Sequence, residues 1–190
     1  FGQFNDLGFP SDGNAFETSA VADHWIFERD GGTGGVLYSK SPTTFHGSSY
    51  SGSRFICIRG ARAKQIVPVS IGLTYRLSWY EKTAMQDPQT PNMQQITVTY
   101  IEADGEQKII SATHDAPKGI WTLNTGTFTP TTNEVTIIFE ANTPIQQGED
   151  WLTAGLDQIS LIVTNQSISV SAGAMNPNLL LNGDFEDGVD

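Results

Sequence analysis

Along most of the chain, apolar and polar residues alternate with a period of two, the repeat of a β-strand whose side chains point to opposite faces. Seven stretches carry the pattern: residues 53–59 (SRFICIR), 73–82 (LTYRLSWYEK), 95–102 (QITVTYIE), 108–112 (KIISA), 119–128 (GIWTLNTGTF), 134–140 (EVTIIFE) and 156–163 (LDQISLIV). They are rich in Val, Ile, Thr, Tyr, Phe and Trp and end in turn-forming residues, as strands do. Asp104-Gly105, between two of them, predicts a hairpin turn. No window shows the 3.6-residue period of a convincing amphipathic helix. About seven or eight short strands at this spacing predict an all-β sandwich or barrel.

Three stretches break the alternation. Residues 30–35 (DGGTGG) read as a flexible glycine loop, and 84–92 (AMQDPQTPN) as a Pro-containing connection. Residues 164–178 (TNQSISVSAGAMNPN) read as a small, polar linker ending in a Pro turn. A length of 190 residues fits one domain, and such a domain buries enough apolar surface to hold a core without disulfides.

Composition narrows the partners. Cys57 is the only cysteine, which excludes an internal disulfide and a cysteine-based metal site. With 10 basic against 21 acidic residues the formal charge is −11. Such a chain lacks the clustered Lys and Arg that phosphate binding needs, so nucleic acid is an unsuitable partner. An anionic lipid surface is unsuitable too. Neutral sugars and divalent cations are compatible. No stretch approaches the ~18 apolar residues of a membrane span. The chain opens on Phe1 without a signal peptide, as a processed product or a cut piece would.

Several motifs point to one family. Residues 178–188 (NLLLNGDFEDG) resemble the opening strand of carbohydrate-binding modules with a galactose-binding-like jelly roll, the group attached to xylanases and laminarinases. A diverged copy, DGNAFE, stands at 12–17, with Trp25 following it. Phe16 and Phe185 lie 169 residues apart (185 − 16), the spacing of a tandem array. Residues 50–60 (YSGSRFICIRG), 69–82 (VSIGLTYRLSWYEK), 119–130 (GIWTLNTGTFTP) and 155–161 (GLDQISL) are similar to later family motifs in the family's order. The resemblance implies an all-β jelly-roll sandwich, galactose-binding-domain-like. It divides the chain into an N-terminal extension or linker (1–11), the sandwich module (12–164) and a linker (165–177). The remainder, 178–190, reads as the first strand of a following repeat or as an inter-subunit strand.

Alternation within 74–82 sets Tyr75, Leu77 and Trp79 on the core face and Arg76, Ser78 and Tyr80 on the other. By the resemblance Tyr80 occupies an outward aromatic position on the concave sheet, where a ring lies against the apolar face of a sugar. Arg76, two residues before Ser78 on the same face, supplies hydrogen bonds to hydroxyls. In 54–59 the family pattern places Ile56 and Ile58 inside and Phe55, Cys57 and Arg59 opposite, either lining a groove or covered by the N-terminal segment. Arg59 is thus a third ligand candidate, and Trp151, in a loop, a fourth. Trp121 reads as core or rim, and Cys57 as a packed side chain. The resemblance also implies a structural Ca2+ shared by Glu17 and Asp157, whose carboxylates suit calcium's preference for oxygen.

Catalytic constellations are absent from the sequence. His24, His46 and His114 lack metal-ligand spacing, and there is no Gly-x-Ser-x-Gly elbow or phosphate loop. The expected function is therefore a non-catalytic carbohydrate-binding module of a larger secreted or surface-displayed protein. The alternative is a structural sandwich of a fibre, surface appendage or phage-like particle, assembling through its C-terminal strand. That strand has three possible fates: disorder, packing on its own sandwich, or insertion into a neighbour's sheet.

Overall fold

The structure, a computed structural model, describes residues 24–29, 35–40, 47–52, 54–84, 93–141, 153–164, 179, 180 and 183. The glycine loop at 30–34, the connection at 85–92, the linker at 165–178 and the predicted residues Glu17 and Trp151 lie outside the described residues.

Ten strands are found among the described residues: β1 (Ile26–Arg29), β2 (Gly35–Lys40), β3 (Arg54–Arg59), β4 (Ala61–Pro68), β5 (Tyr75–Ala84), β6 (Gln95–Glu102), β7 (Gln107–Asp115), β8 (Thr122–Phe128), β9 (Glu134–Ala141) and β10 (Thr153–Val163). They form two five-stranded sheets, sheet A in the order β1-β4-β9-β6-β7 and sheet B in the order β2-β3-β10-β5-β8. Their strand pairings are antiparallel. The all-β jelly-roll sandwich expected from the sequence is the fold the chain has.

The core lies between the sheets and is filled mainly by inward residues of β3, β4, β5, β6, β9 and β10. Tyr75, Leu77 and Trp79 of β5 face Ile96, Val98 and Tyr100 of β6 and Val135, Ile137 and Phe139 of β9. Trp79 meets Phe139 edge-on at 5.6 Å, and Phe128 packs on Tyr75 at 5.6 Å and on Tyr100 at 4.5 Å. Aromatic pairs at these separations add about 0.5–1.5 kcal/mol each beyond their area burial.

β4 is a strand that hydrophobic alternation did not predict. Its inward positions are Ala61, Ala63, Gln65 and Val67, all buried, while Arg62, Lys64, Ile66 and Pro68 face outward. Two alanines and a glutamine do not register as an apolar period, although Ala63 lies beside Phe139 of β9 in the core. β1 and β2 were also missed, being short strands on the rim of their sheets. The predicted hairpin is present: β6 returns as β7 after Glu102, with Gly105 N–H donating to the Glu102 carbonyl at 2.8 Å.

One buried polar link ties the sheets together. The Glu81 carboxylate on β5 is fully buried and accepts from Trp79 Nε1 at 2.6 Å. Its other oxygen meets His114 Nε2 of β7, in the opposite sheet, at 2.6 Å. That contact holds the His114 imidazolium above the usual histidine range, and burial works against the effect.

Candidate functional site

The outer face of sheet B is organised in cross-strand rows by the register of β10, β5 and β8. One row is Asp157–Tyr80–Leu123, the next Ser160–Ser78–Thr125, and the third Ile162–Arg76–Thr127. Arg76, Leu123, Thr125 and Thr127 are exposed, and Ser78 and Tyr80 are half-buried. Arg76 and Tyr80 lie four residues apart on one strand, about 13 Å at the rise of a β-strand. The face therefore offers an aromatic and apolar end, a band of hydroxyls, and a guanidinium at the far end.

Tyr80 does not stand alone. Tyr50, from the loop before β3, stacks on it with ring centroids 3.5 Å apart and planes 15° from parallel. The two phenols share a hydrogen bond of 2.8 Å. Tyr50 covers one face of Tyr80 and is itself 46 % exposed, so the accessible ring of the pair is that of Tyr50.

Two sets of contacts hold Tyr50 in place. The Asp157 carboxylate, fully buried, accepts the backbone N–H of Tyr50 at 2.8 Å and of Ser51 at 3.2 Å through Oδ2. Its Oδ1 accepts the N–H of Gln158 at 2.7 Å, at an irregularity in the β10 ladder where Gln158 has φ 49°. From the other side, the Ser48 carbonyl accepts from Lys82 Nζ at 2.8 Å and from Trp121 Nε1 at 2.9 Å. Residues 48–51 are thus pinned to the sheet by one carboxylate, one ammonium and one indole.

The row Phe55, Cys57, Arg59 lies opposite Ile56 and Ile58, as alternation predicts, and all five are buried. Phe55 and Cys57 form a small cluster under Trp121, which meets Phe55 edge-on at 5.5 Å. Lys82 lies across the same rings, its Nζ 4.9 Å from the Phe55 centroid and 4.4 Å from that of Trp121. Cation–π attraction of this kind is worth about 0.5–2 kcal/mol. Burial lowers the Lys82 ammonium below its ordinary range, opposed by Cys57 and Asp157. Gly155, between Cys57 and Lys82 in register, leaves room for this layer: a Cβ there would lie 3.2 Å from Trp121 and 3.2 Å from Lys82. Phe55 and Cys57 are therefore covered by Trp121 and Lys82, while the N-terminal segment that the sequence reading offered as a cover lies outside the described residues.

These positions sort the predicted site residues. Tyr80 and Arg76 share the open face of sheet B. Arg59 is 5 % exposed and buried with its row, so it presents no surface to a ligand. Asp157 is where a metal ligand was expected, yet three backbone N–H groups already occupy its oxygens, and Glu17 lies outside the described residues. The Cys57 thiol is pushed up to about 12, chiefly by burial, and is inert as a nucleophile. Among the described residues, a cluster of possible cation ligands is Glu102, Asp104 and Glu106 on the β6–β7 hairpin, where Lys108 pairs with both glutamates at 3.0 Å.

Sequence reasoning missed Tyr50, Lys82 and Trp121 as parts of one assembly. The available signal was the position of Tyr50 at the head of the motif YSGSRFICIRG.

No family model matches the chain, and no curated protein matches it in sequence. Solved structures do match in fold. The xylan-binding CBM22-1 domain of Xyn10C from Paenibacillus barcinonensis covers 77 % of this chain and 89 % of its own, with a TM-score of 0.53 and 11 % identity. TmCBM61 in complex with β-1,4-galactotriose covers 80 % and 99 %, with a TM-score of 0.50 and 12 % identity. The enzymatically active domain of tailspike protein 4 of bacteriophage CBA120 covers 80 % of this chain and 21 % of its own, with a TM-score of 0.52 and 12 % identity. Identities this low speak to fold alone, and the fold they give this chain is the jelly-roll sandwich found in carbohydrate-binding modules.

Proposed function

We propose that this chain is a non-catalytic carbohydrate-binding module of a larger secreted or surface-displayed protein, holding a neutral polysaccharide on the outer face of sheet B. The observation that carries the reading is the Tyr50–Tyr80 stack. An exposed aromatic ring, fixed by buried partners, adjoins rows of hydroxyls and an exposed arginine on the same face. Sugar rings present one apolar face and a rim of hydroxyls. The tyrosine takes the first, and Ser78, Thr125, Thr127 and Arg76 match the second. A charge of −11 disfavours polyanionic ligands and leaves neutral glycans as the suitable class.

A preformed ring spends little binding energy on ordering itself, which is how a shallow face reaches useful affinity. Calcium belongs to the same proposal: Glu17 and Asp157 carry the carboxylate oxygens such an ion prefers, as the resemblance to the carbohydrate-binding modules implies. The alternative, a building block joined end to end through its C-terminal strand, has less support, because Leu180 is spent in the sandwich's own core.

The proposal is tested by affinity electrophoresis of the full chain through gels containing soluble xylan, laminarin or β-galactan. The chain is expected to be retarded by at least one of them. Tyr50→Ala is expected to lose about 1–2 kcal/mol of affinity while keeping a cooperative melting transition. Equal retardation of the variant would remove Tyr50 from the site.

A further inference from the structure

The edges of β10 are unequally occupied. β5 pairs along one edge from Thr153 to Val163, whereas β3 pairs along the other only at Ala154, Gly155 and Leu156. Beyond Leu156 the main chain of Ile159 and Leu161 runs along that second edge without β3 beside it. Residues from the far C-terminal region fill it. Leu179 N–H donates to the Leu161 carbonyl at 2.9 Å, and Ile159 N–H donates to the Gly183 carbonyl at 2.6 Å. As the segment advances from 179 to 183 its partner retreats from Leu161 to Ile159, so it runs antiparallel to β10. Leu180 enters the core with 4 % exposure, and Leu179 packs against the same cluster. At Gly183 a Cβ would overlap the Ile159 carbonyl oxygen, so only glycine fits.

We propose that this edge of β10 is a strand-acceptor site, and that the C-terminal segment carrying Leu179, Leu180 and Gly183 occupies it as a separable peptide ligand. The contacts are those of strand addition: main-chain hydrogen bonds supply affinity, while a leucine pocket and a glycine-only position supply specificity. The site reads an extended peptide with leucine three residues before glycine. Residues 165–178, a small and polar stretch of 14 (178 − 164), separate the ligand from β10 in sequence. Because ligand and body belong to one chain, a free peptide at micromolar concentration is expected to compete only after the connection is cut.

The test uses the full chain with a site-specific protease sequence inserted between residues 165 and 177. After cleavage the 178–190 fragment is expected to co-elute with the body in gel filtration. On warming to just below the melting temperature, a fluorescent peptide of residues 178–190 is expected to replace it. Peptides carrying Leu180→Asp or Gly183→Val are expected to bind about thirtyfold more weakly or worse. Should the cleaved body lose its folding transition, excess wild-type peptide is expected to restore it. Separation of the fragment from a body that melts unchanged overturns the proposal. So does failure of the peptide to exchange or to restore folding, or equal exchange by the Gly183→Val peptide.

Discussion

At the scale of single residues, environment decides what each polar or aromatic side chain does. Tyr80 faces outward because Tyr75, Leu77 and Trp79 take the inward positions of β5, and that much follows from alternation. Tyr50 is different. Its place depends on Asp157, 107 residues away in sequence, and no local period encodes that distance. His114 shows the same dependence. Its imidazole lies against the buried Glu81 carboxylate, which raises its affinity for a proton in the folded state, and Ala112's carbonyl and Asp115 add to the effect. A folded-state pKa above the unfolded value of about 6.5 means that the stabilisation is complete below that pH. It is lost as pH rises through the higher folded-state value. The melting temperature is therefore expected to fall as pH is raised from about 6 through that window, and His114→Gln to flatten this part of the profile. A variant whose profile keeps the wild-type slope would assign the pH dependence to other groups.

At the scale of elements, the loop at 48–51 is the part of the site with the most to lose. Asp157→Ala removes the acceptor of two loop N–H groups and of the Gln158 N–H. Leaving such donors unpaired costs on the order of 3 kcal/mol. The variant is expected to melt several degrees lower and to lose sugar retention with it, because the ring of Tyr50 is no longer fixed. Wild-type retention in a destabilised Asp157→Ala chain would separate the loop from the binding site. Strand-level legibility was uneven for a physical reason. β5, β6 and β9 announce themselves through large apolar residues on one face. β4 fills its inward positions with Ala61, Ala63 and Gln65, so its alternation exists in burial without existing in hydrophobicity. The row of β3 was assigned to the correct face, but the cover of Phe55 and Cys57 could not be inferred, since Lys82 reaches them from β5 and Trp121 from just before β8.

At the scale of the molecule, the two-residue period and five ordered motifs made the jelly roll legible, whereas the division of labour between its faces was not. The C-terminal motif left three fates open, disorder, packing on its own sandwich or insertion into a neighbour's sheet, and here Leu179 and Gly183 bond to β10 while Leu180 packs in the core. Nothing in the segment's own composition distinguishes those fates, because the slot on β10 is created by where β3 stops. A calcium shared by Glu17 and Asp157 would stabilise the whole fold by mass action, by about 2.7 kcal/mol at a hundredfold excess over Kd. Chelator is then expected to lower the melting temperature of the wild type and to leave Glu17→Gln unaffected. Superimposable wild-type curves with and without chelator would remove the ion from the account. The most direct test of the binding claim is a glycan array probed with the full chain and with Tyr50→Ala side by side. The account predicts that the wild type binds a group of neutral polysaccharides and that the variant loses the same group. A wild type that binds no glycan, or a variant with an unchanged pattern, would contradict it.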